Sequence, residues 1–283
     1  MGTVIKNDIT KLFDMEKLNS ATKYPSIMTY HALGDKGRLT EELTPSPAMN
    51  ADDTIYITEK IDGTNTRIIF YKDDYIIGSR ESLTYAKGDR IKSSDSLGAK
   101  IITDACRFAD RYLQIKGETE DLVVVFGEVY GGRIQNGACY TRKNQTAFRT
   151  FDGFAYTESQ IREILAMSFD EIASQRQHLR RPYFTYNHTG ISQLESVGTT
   201  VPFLGTIKYS ELPVGVEEAY EFLKQFRKSR AVLDSEELAD PLTNKIGRAE
   251  GIVIRNADRS FIKKLRFESY EKTIRTRDQQ RKR

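Results

Sequence analysis

Residues 54–80 read TIYITEKIDGTNTRIIFYKDDYIIGSR, and this stretch carries the strongest signal of the fold class. Its β-branched and aromatic residues form three short runs, which the turn formers of IDG and KDD separate. Short runs of this composition, bounded by glycine and aspartate, are typical of consecutive strands. The stretch therefore predicts a strand, a turn, a second strand, a second turn and a third strand.

The same pattern continues through the chain. Residues 121–130, DLVVVFGEVY, predict a strand that is buried on both faces, because their apolar run is continuous. Residues 148–156 predict another strand, and residues 249–256 and 260–268 predict a hairpin. Helical periodicity is present over 99–115, 158–173 and 213–228. Because most strands come as hairpins and not as alternating βαβ units, the sequence predicts an α+β fold of mainly antiparallel sheets flanked by helices.

Composition excludes several classes of protein. The 283 residues are 39% hydrophobic and 29% charged, which excludes a largely disordered chain. No run of apolar residues is long enough for a transmembrane helix, and the first 20 residues lack the apolar core of a secretion signal, so we expect a cytoplasmic protein. Cys106 and Cys139 are the only cysteines, which excludes a disulfide framework and a zinc cluster.

The segment Glu59-Lys60-Ile-Asp62-Gly63 places a lysine at the end of a predicted strand, directly before a glycine turn. A lysine amine becomes a strong nucleophile where burial or neighbouring cations lower its pKa. Asp62 lies on the same face as Lys60 in extended geometry, where it would orient a leaving group or bind a metal. The alternative is a surface lysine in an ordinary turn.

Four further elements carry candidate functional side chains. Glu128 ends a buried strand, where it would contact a sugar hydroxyl or a metal, or form a local salt bridge. Phe151 would stack on a base or belong to the core. Glu250 enters a β-branched strand. Lys264 and Arg266 share one face of the next strand, which suits a triphosphate or is a solvated basic face.

Residues 272–283, KTIRTRDQQRKR, carry six basic side chains and one acidic side chain. Such a segment is either a solvated tail or an arm that binds phosphates through salt-sensitive contacts.

In this order, KIDG at 60–63, FGEVYG at 126–131, FRTFDG at 148–153, EGIVIR at 250–255 and FIKKLR at 261–266 resemble the covalent nucleotidyltransferase superfamily of DNA ligases, RNA ligases and capping enzymes. The GTN at 63–65, FGEVYG and EGIVIR are most similar to ATP-dependent RNA ligases of the bacterial and RNA-editing branch. The resemblance implies the nucleotidyltransferase (ligase adenylation) fold over residues 54–271, an N-terminal extension at 1–53 packed on this core, and a basic C-terminal tail at 272–283.

The resemblance also implies a role for each matching residue. Lys60 would attack the α-phosphorus of ATP and hold AMP, with Asp62 beside it. The nucleotide would be bound by Glu59 at the adenine edge, by Asn65, by Arg80, by Glu128 at the ribose and by Phe151 stacked on adenine. Glu128 and Glu250 would bind the metal, Mg²⁺ or Mn²⁺, and Lys264 and Arg266 would neutralise the α-phosphate. Arg266 departs from the family, which usually has lysine at that position, although arginine keeps the charge.

The implied reaction joins a 3′-hydroxyl to a 5′-phosphate of a nucleic acid, with RNA favoured over DNA, through lysyl-AMP and an adenylylated end. Neither flank of the motifs is long enough for an additional OB domain, so a partner protein is a candidate to supply a nucleic-acid clamp. The alternatives are a DNA ligase, a capping-type enzyme that transfers GMP from GTP, and a degenerate nucleotide-binding adaptor without activity. The intact Lys60 and both glutamates argue against the adaptor.

Overall fold

The structure, a computed structural model, describes residues 8–90, 96–115, 121–141, 144–177, 200–233 and 247–281. The helices are α1 (Asp8–Leu12), α2 (Met15–Ala21), α3 (Ser96–Ile115), α4 (Glu158–Ala166), α5 (Phe169–Gln177), α6 (Val216–Lys224) and α7 (Phe267–Arg281). The first eight strands are β1 (Met28–Thr29), β2 (His31–Leu33), β3 (Leu39–Leu43), β4 (Thr54–Lys60), β5 (Thr64–Tyr71), β6 (Asp74–Ser79), β7 (Leu83–Ala86) and β8 (Asp89–Arg90). The others are β9 (Leu122–Gly131), β10 (Thr146–Tyr156), β11 (Phe203–Lys208), β12 (Gly251–Arg255) and β13 (Ile262–Arg266).

The strands of the described residues form two large sheets and one small one. The five-stranded sheet has the order β1-β13-β12-β4-β11, and the six-stranded sheet has the order β10-β9-β5-β6-β7-β8, while β2 and β3 pair with each other. All pairs are antiparallel except β1 with β13. The prediction of an α+β fold with mainly antiparallel sheets is therefore confirmed.

Both faces of the six-stranded sheet are covered, which explains the continuous apolar run of β9. Val123 and Val125 point to the side of α3, where they join Phe108 and Tyr112. Val124 points to the opposite side, where the sheet packs against α1, α2, α4 and α5. The five-stranded sheet buries its apolar face against α6 and the first turn of α7.

The structure differs from the sequence prediction in two segments. The helix expected over 158–173 is two helices, because the backbone of Met167 is extended and Ser168 starts a new helix. The Ser168 hydroxyl accepts a hydrogen bond from the Glu171 backbone N–H, and the Glu171 carboxylate accepts one from the Ser168 N–H. This reciprocal pair is a capping box, which begins a helix.

The segment expected as a basic tail is helical as far as Arg281. Its helix begins at Phe267, and buried Phe267, Tyr270 and Thr273 fix its first two turns against the five-stranded sheet. In addition, the Thr273 hydroxyl accepts a hydrogen bond from the backbone N–H of Leu39. Once a helix is anchored in this way, adding further residues requires little free energy, because propagation fixes one residue for each new hydrogen bond.

Residues 8–53, assigned from the sequence to an N-terminal extension, contact both large sheets. The helices α1 and α2 pack on the six-stranded sheet, and β1 adds a parallel strand at the edge of the five-stranded sheet. In the described residues, no helix is both long and apolar enough to cross a membrane.

His31 ties the N-terminal segment to α7 and is fully buried. Its Nδ1 lies 2.7 Å from the Tyr270 hydroxyl, and its Nε2 lies 2.9 Å from the carbonyl oxygen of Val214. Burial lowers the pKa of His31, and the Arg277 guanidinium lowers it further, while the Val214 carbonyl and the Glu41 carboxylate oppose the shift. The folded state therefore prefers the neutral imidazole.

We expect acid to reduce the contribution of His31 to stability. A lowered pKa means that the unfolded chain binds this proton more readily, so the contribution is present above about pH 6.5 and is lost as the pH falls further. Chemical denaturation of wild type and His31→Gln at pH 7.5 and pH 5.5 measures this contribution. The difference in unfolding free energy between the two proteins should be smaller at pH 5.5. A difference that is constant or grows in acid would contradict the assignment.

Candidate active site

The KIDG turn carries the chain from one large sheet to the other. Lys60 ends β4 in the five-stranded sheet, and Thr64 begins β5 in the six-stranded sheet. A side chain at Gly63 would overlap the backbone oxygen of Val129, so a glycine is required at this crossing. The lysine therefore lies where the two sheets meet.

Two residues from the loop after β9 hold the turn in place. The Tyr140 hydroxyl accepts a hydrogen bond of 2.7 Å from the Asp62 backbone N–H, and the Asn136 side-chain amide donates to the Asp62 carboxylate. Tyr140 is fully buried. The carboxylate of Asp62 is thus fixed beside Lys60, and no local pattern in the sequence marked Asn136 or Tyr140.

Lys60 forms an ion pair with Glu250. The distance from Lys60 Nζ to Glu250 Oε2 is 2.5 Å, and the two side chains are only 26% and 18% exposed. The strand register explains the contact, because Gly251 lies opposite Lys60 on one side and opposite Arg266 on the other. Arg266 Nη1 lies 3.9 Å from Glu250 Oε1 and completes a short row of alternating charges.

Glu128 adds a second carboxylate next to Lys60. It projects from β9 opposite Asn65 on β5, at the position that the sequence predicted. The pKa of Glu128 is raised to about 8, mainly by burial and also by the carboxylates of Glu250 and Asp62, against the attraction of the Lys60 ammonium. Burial also raises the pKa of Glu250, which Lys60 again opposes. The site thus places two carboxyl groups, whose charged forms burial disfavours, beside one half-buried ammonium.

A cavity opens in front of Lys60, between the two sheets and the N-terminal segment. It is lined by seven of the predicted residues, which are Glu59, Lys60, Asn65, Arg80, Glu128, Phe151 and Lys264. The remaining three, Asp62, Glu250 and Arg266, line a second cavity. The two cavities meet at the ion pair of Lys60 with Glu250, because each member lines one of them.

Alternation along β13 decides which basic residues face the first cavity. Lys264 lines the cavity, whereas the Lys263 ammonium lies on the opposite face and donates a 2.8 Å hydrogen bond to the carbonyl oxygen of Pro45. Burial lowers the pKa of Lys264, and the nearby cations of Arg266, Lys60 and Arg80 lower it further. The ammonium of Lys264 is thus crowded by like charges, a condition that an anionic ligand would relieve.

Glu59 lines the first cavity from a different position. Its buried carboxylate accepts hydrogen bonds from the Ser229 hydroxyl and from the Arg230 backbone N–H at 2.7 Å. Burial raises the pKa of Glu59, and these hydrogen bonds oppose the rise. Part of its hydrogen-bonding capacity is therefore used within the protein, and its remaining lone pairs are what a ligand could contact.

Phe151 lines the cavity because β10 is irregular at this point. The register of β10 against β9 shifts between Thr150 and Asp152, which leaves Phe151 unpaired in the sheet. The ring of Tyr24 packs on Phe151 edge-to-face, with centroids 5.1 Å apart and planes at 77°. The N-terminal segment thus supports the aromatic wall, a contact across 127 positions that the sequence did not reveal.

Asp152, which follows Phe151 in β10, connects this wall of the cavity to the other large sheet. Its fully buried carboxylate accepts hydrogen bonds from the Tyr24 hydroxyl at 2.9 Å and from Arg259 Nε at 2.8 Å, and Arg255 Nη1 lies 3.4 Å away. Asp152 belongs to the six-stranded sheet, while the two arginines belong to the end of β12 and the turn after it. The cluster therefore joins the two sheets beneath the cavity.

We expect Asp152→Ala to lower the free energy of unfolding by about 3–5 kcal/mol, because it leaves buried guanidinium groups without their carboxylate. Denaturant unfolding measures the loss. The matched control is Asp52→Ala, which removes an exposed carboxylate 2.8 Å from Lys208 Nζ and should change the unfolding free energy by less than about 1 kcal/mol. Equal losses in the two variants would contradict the role of burial.

The family model described as RNA ligase matches residues 53–270. No curated protein matches the chain. Similar solved structures include a Naegleria gruberi RNA ligase lysine-to-alanine mutant with ATP and Mn, at 14% identity and a TM-score of 0.45, which covers 88% of this chain and 63% of that one.

The same RNA ligase with PPi is 13% identical with a TM-score of 0.44, and covers 89% of this chain and 64% of that chain. An apo aspartate mutant is 14% identical with a TM-score of 0.47, covering 98% and 68%. The chain thus spans about 63% of the length of the first of these structures. The match of the family model extends over most of the chain, and the protein therefore belongs to the RNA ligase family.

Proposed function

We propose that this protein is an ATP-dependent RNA ligase, which joins a 3′-hydroxyl to a 5′-phosphate through lysyl-AMP and an adenylylated RNA end. The observation that carries the proposal is the position of Lys60. It is half-buried where two sheets meet, paired with Glu250 and open to a cavity that also contains the Lys264 ammonium. Membership of the RNA ligase family supports the same conclusion.

In the first step, the Lys60 amine attacks the α-phosphorus of ATP, a P–N bond forms and the bond to pyrophosphate breaks. The ammonium of Lys60 must lose a proton before the attack. Glu250 Oε2 is 2.5 Å from Nζ and is positioned to receive that proton. Its raised pKa makes it a better acceptor than an ordinary carboxylate, because proton acceptors work best when their pKa approaches the working pH.

Negative charge develops on the phosphoryl oxygens and on the leaving pyrophosphate. Lys264 and Arg80 line the cavity and are positioned to stabilise this charge. Fixed cations in a partly closed site stabilise developing charge more strongly than the same cations in water. Arg266 lies on the other side of Glu250 and would keep that carboxylate oriented.

The residues present suit a divalent cation. In the described residues, no group of three or more potential ligand side chains forms a complete metal site. Glu128 and Glu250 nevertheless both interact with the Lys60 ammonium, and the Glu250 carboxylate raises the pKa of Glu128. Mg²⁺ is commonly held by one or two carboxylates together with substrate phosphates and waters. We propose that Glu128 and Glu250 hold Mg²⁺ or Mn²⁺, which when bound would neutralise charge on the phosphates.

The remaining wall of the cavity suits a nucleoside. Phe151 offers a ring face for stacking on adenine, and Glu59 provides an acceptor near it. In the described part of the chain, the buried Oδ1 atom of Asn65 has no hydrogen-bond partner. A buried acceptor without a partner is unfavourable, so a hydroxyl or amino group of the nucleotide would satisfy Asn65. A cytoplasmic location and a partner protein that clamps the RNA stay predictions from the sequence.

The first test is covalent labelling of the full chain. With labelled ATP and Mg²⁺ or Mn²⁺, the wild type should acquire an acid-labile AMP, and Lys60→Ala should acquire none because the attacking amine is absent. Lys208→Ala, which removes an exposed lysine from the neighbouring strand β11, should label like the wild type. Label that persists in Lys60→Ala would contradict the assignment, and labelling by GTP in place of ATP would indicate a capping-type enzyme.

Adjacent lysines on opposite faces of β13 allow a matched test of the phosphate contact. Lys264→Met should slow lysyl-AMP formation about 100-fold, because one fixed donor to the developing charge is lost. Lys263→Met removes a cation of the same strand that faces away from the cavity and should leave the rate within a few-fold of the wild type. Single-turnover labelling measures both rates. Equal losses in the two variants would exclude a specific role for Lys264.

A further inference from the structure

The second cavity lies between the active-site turn and one face of α7. Asp62, Glu250 and Arg266 form the wall next to Lys60. The opposite wall comes from α7, whose residues in the cavity are Glu268, Glu271, Lys272, Arg275, Thr276 and Gln279. Steps of three and four residues place these side chains on one helical face. This face, which we call the groove face, extends away from Lys60 for about 17 Å.

Within the described residues, no acidic side chain forms an ion pair with either cation of the groove face. In the described residues, the Arg275 guanidinium has no ion pair, and the Lys272 ammonium donates only to the backbone carbonyl oxygen of Lys36, at 3.1 Å. Glu268 is exposed and is the one acidic residue of this face without an ion pair in the described part of the chain.

The other acidic residue of the groove face, Glu271, already forms ion pairs within the protein. Glu271 Oε1 lies 3.2 Å from Arg227 Nη2 and 2.8 Å from Arg248 Nη2, so two cations share one carboxylate. Glu250 is likewise paired with Lys60, and Asp62 accepts from the Asn136 amide. The outer part of the groove face, from Lys272 to Gln279, therefore carries two cations and no acid, whereas the acidic residues of the cavity lie in its inner part.

We propose that the groove face of α7 binds the sugar–phosphate backbone of a single RNA strand and leads its end to Lys60. This inference rests on the proposed function, because it concerns the polynucleotide of that reaction. The first cavity is occupied by the nucleotide during lysyl-AMP formation, so the RNA end must reach the phosphorus from another direction. The second cavity meets the first at the Lys60–Glu250 pair, so the RNA end can approach through it.

The helix also provides its own control. Arg277 and Arg281 lie on a different face of α7, where they pair with Glu41 and Glu217. The double variant Lys272→Ala/Arg275→Ala removes two cations of the groove face, and Arg277→Ala/Arg281→Ala removes two from the same helix outside the groove. Alanine preserves helix propensity in both variants.

The experiment measures binding of a 5′-phosphorylated single-stranded RNA to the full chain by fluorescence anisotropy at several salt concentrations, and lysyl-AMP formation with labelled ATP in parallel. The groove variant should bind the RNA about tenfold more weakly at low salt. Its plot of log affinity against log salt should be shallower by about 1.4, as expected for two lost phosphate contacts to a single strand. Lysyl-AMP formation should show no matching loss, and the control variant should bind RNA like the wild type.

Each other outcome overturns the inference. Equal loss of RNA binding in both variants would indicate a general charge effect, and wild-type protein that fails to bind RNA at low salt would exclude the groove as an RNA site. A loss of lysyl-AMP formation in the groove variant alone would show that the groove holds the triphosphate tail or pyrophosphate. Failure of the proposed function is separate, since it would appear as wild-type protein that acquires no AMP.

Discussion

The ion pair between Lys60 and Glu250 is the interaction on which the rest of the site depends. Burying a carboxylate is unfavourable unless a cation or hydrogen-bond donors accompany it. Here burial disfavours the charged forms of both Glu128 and Glu250, and the Lys60 ammonium opposes the rise in pKa of each. One amine thus stabilises two acidic strand ends in the free protein, and the same amine is the nucleophile of the proposed reaction.

Strand pairing fixes the relative positions of Lys60, Glu128 and Glu250. Gly251 lies between Lys60 and Arg266 in the register, and a side chain there would overlap the Leu265 backbone oxygen. Gly63 meets the same restriction against Val129. Close approach of the backbones at both glycines sets the distance between the charges, so the geometry of the site follows from the sheets and not from flexible side chains.

Much of this arrangement could be predicted from the sequence, because it follows from local rules. Alternation placed Lys264 and Arg266 on one face, and the apolar run of residues 122–126 correctly indicated burial on both sides. The sequence could not show that β4 and β5 belong to different sheets, since a turn of three residues is equally compatible with a hairpin. It also gave no sign of Tyr24, Asn136 or Tyr140, whose contacts with the site join distant positions in the chain.

Burial moves several groups of the site toward their neutral forms, and this has a consequence for binding. The pKa values of Glu128 and Glu250 are raised and that of Lys264 is lowered, so each group is less favourable in its charged form than it would be in water. A nucleotide triphosphate brings anionic oxygens to Lys264, and a divalent cation brings positive charge to the two glutamates. Nucleotide and metal would each relieve an unfavourable charge that the other cannot. The two ligands carry opposite charges into neighbouring parts of one site and attract each other there, so they should bind with positive coupling.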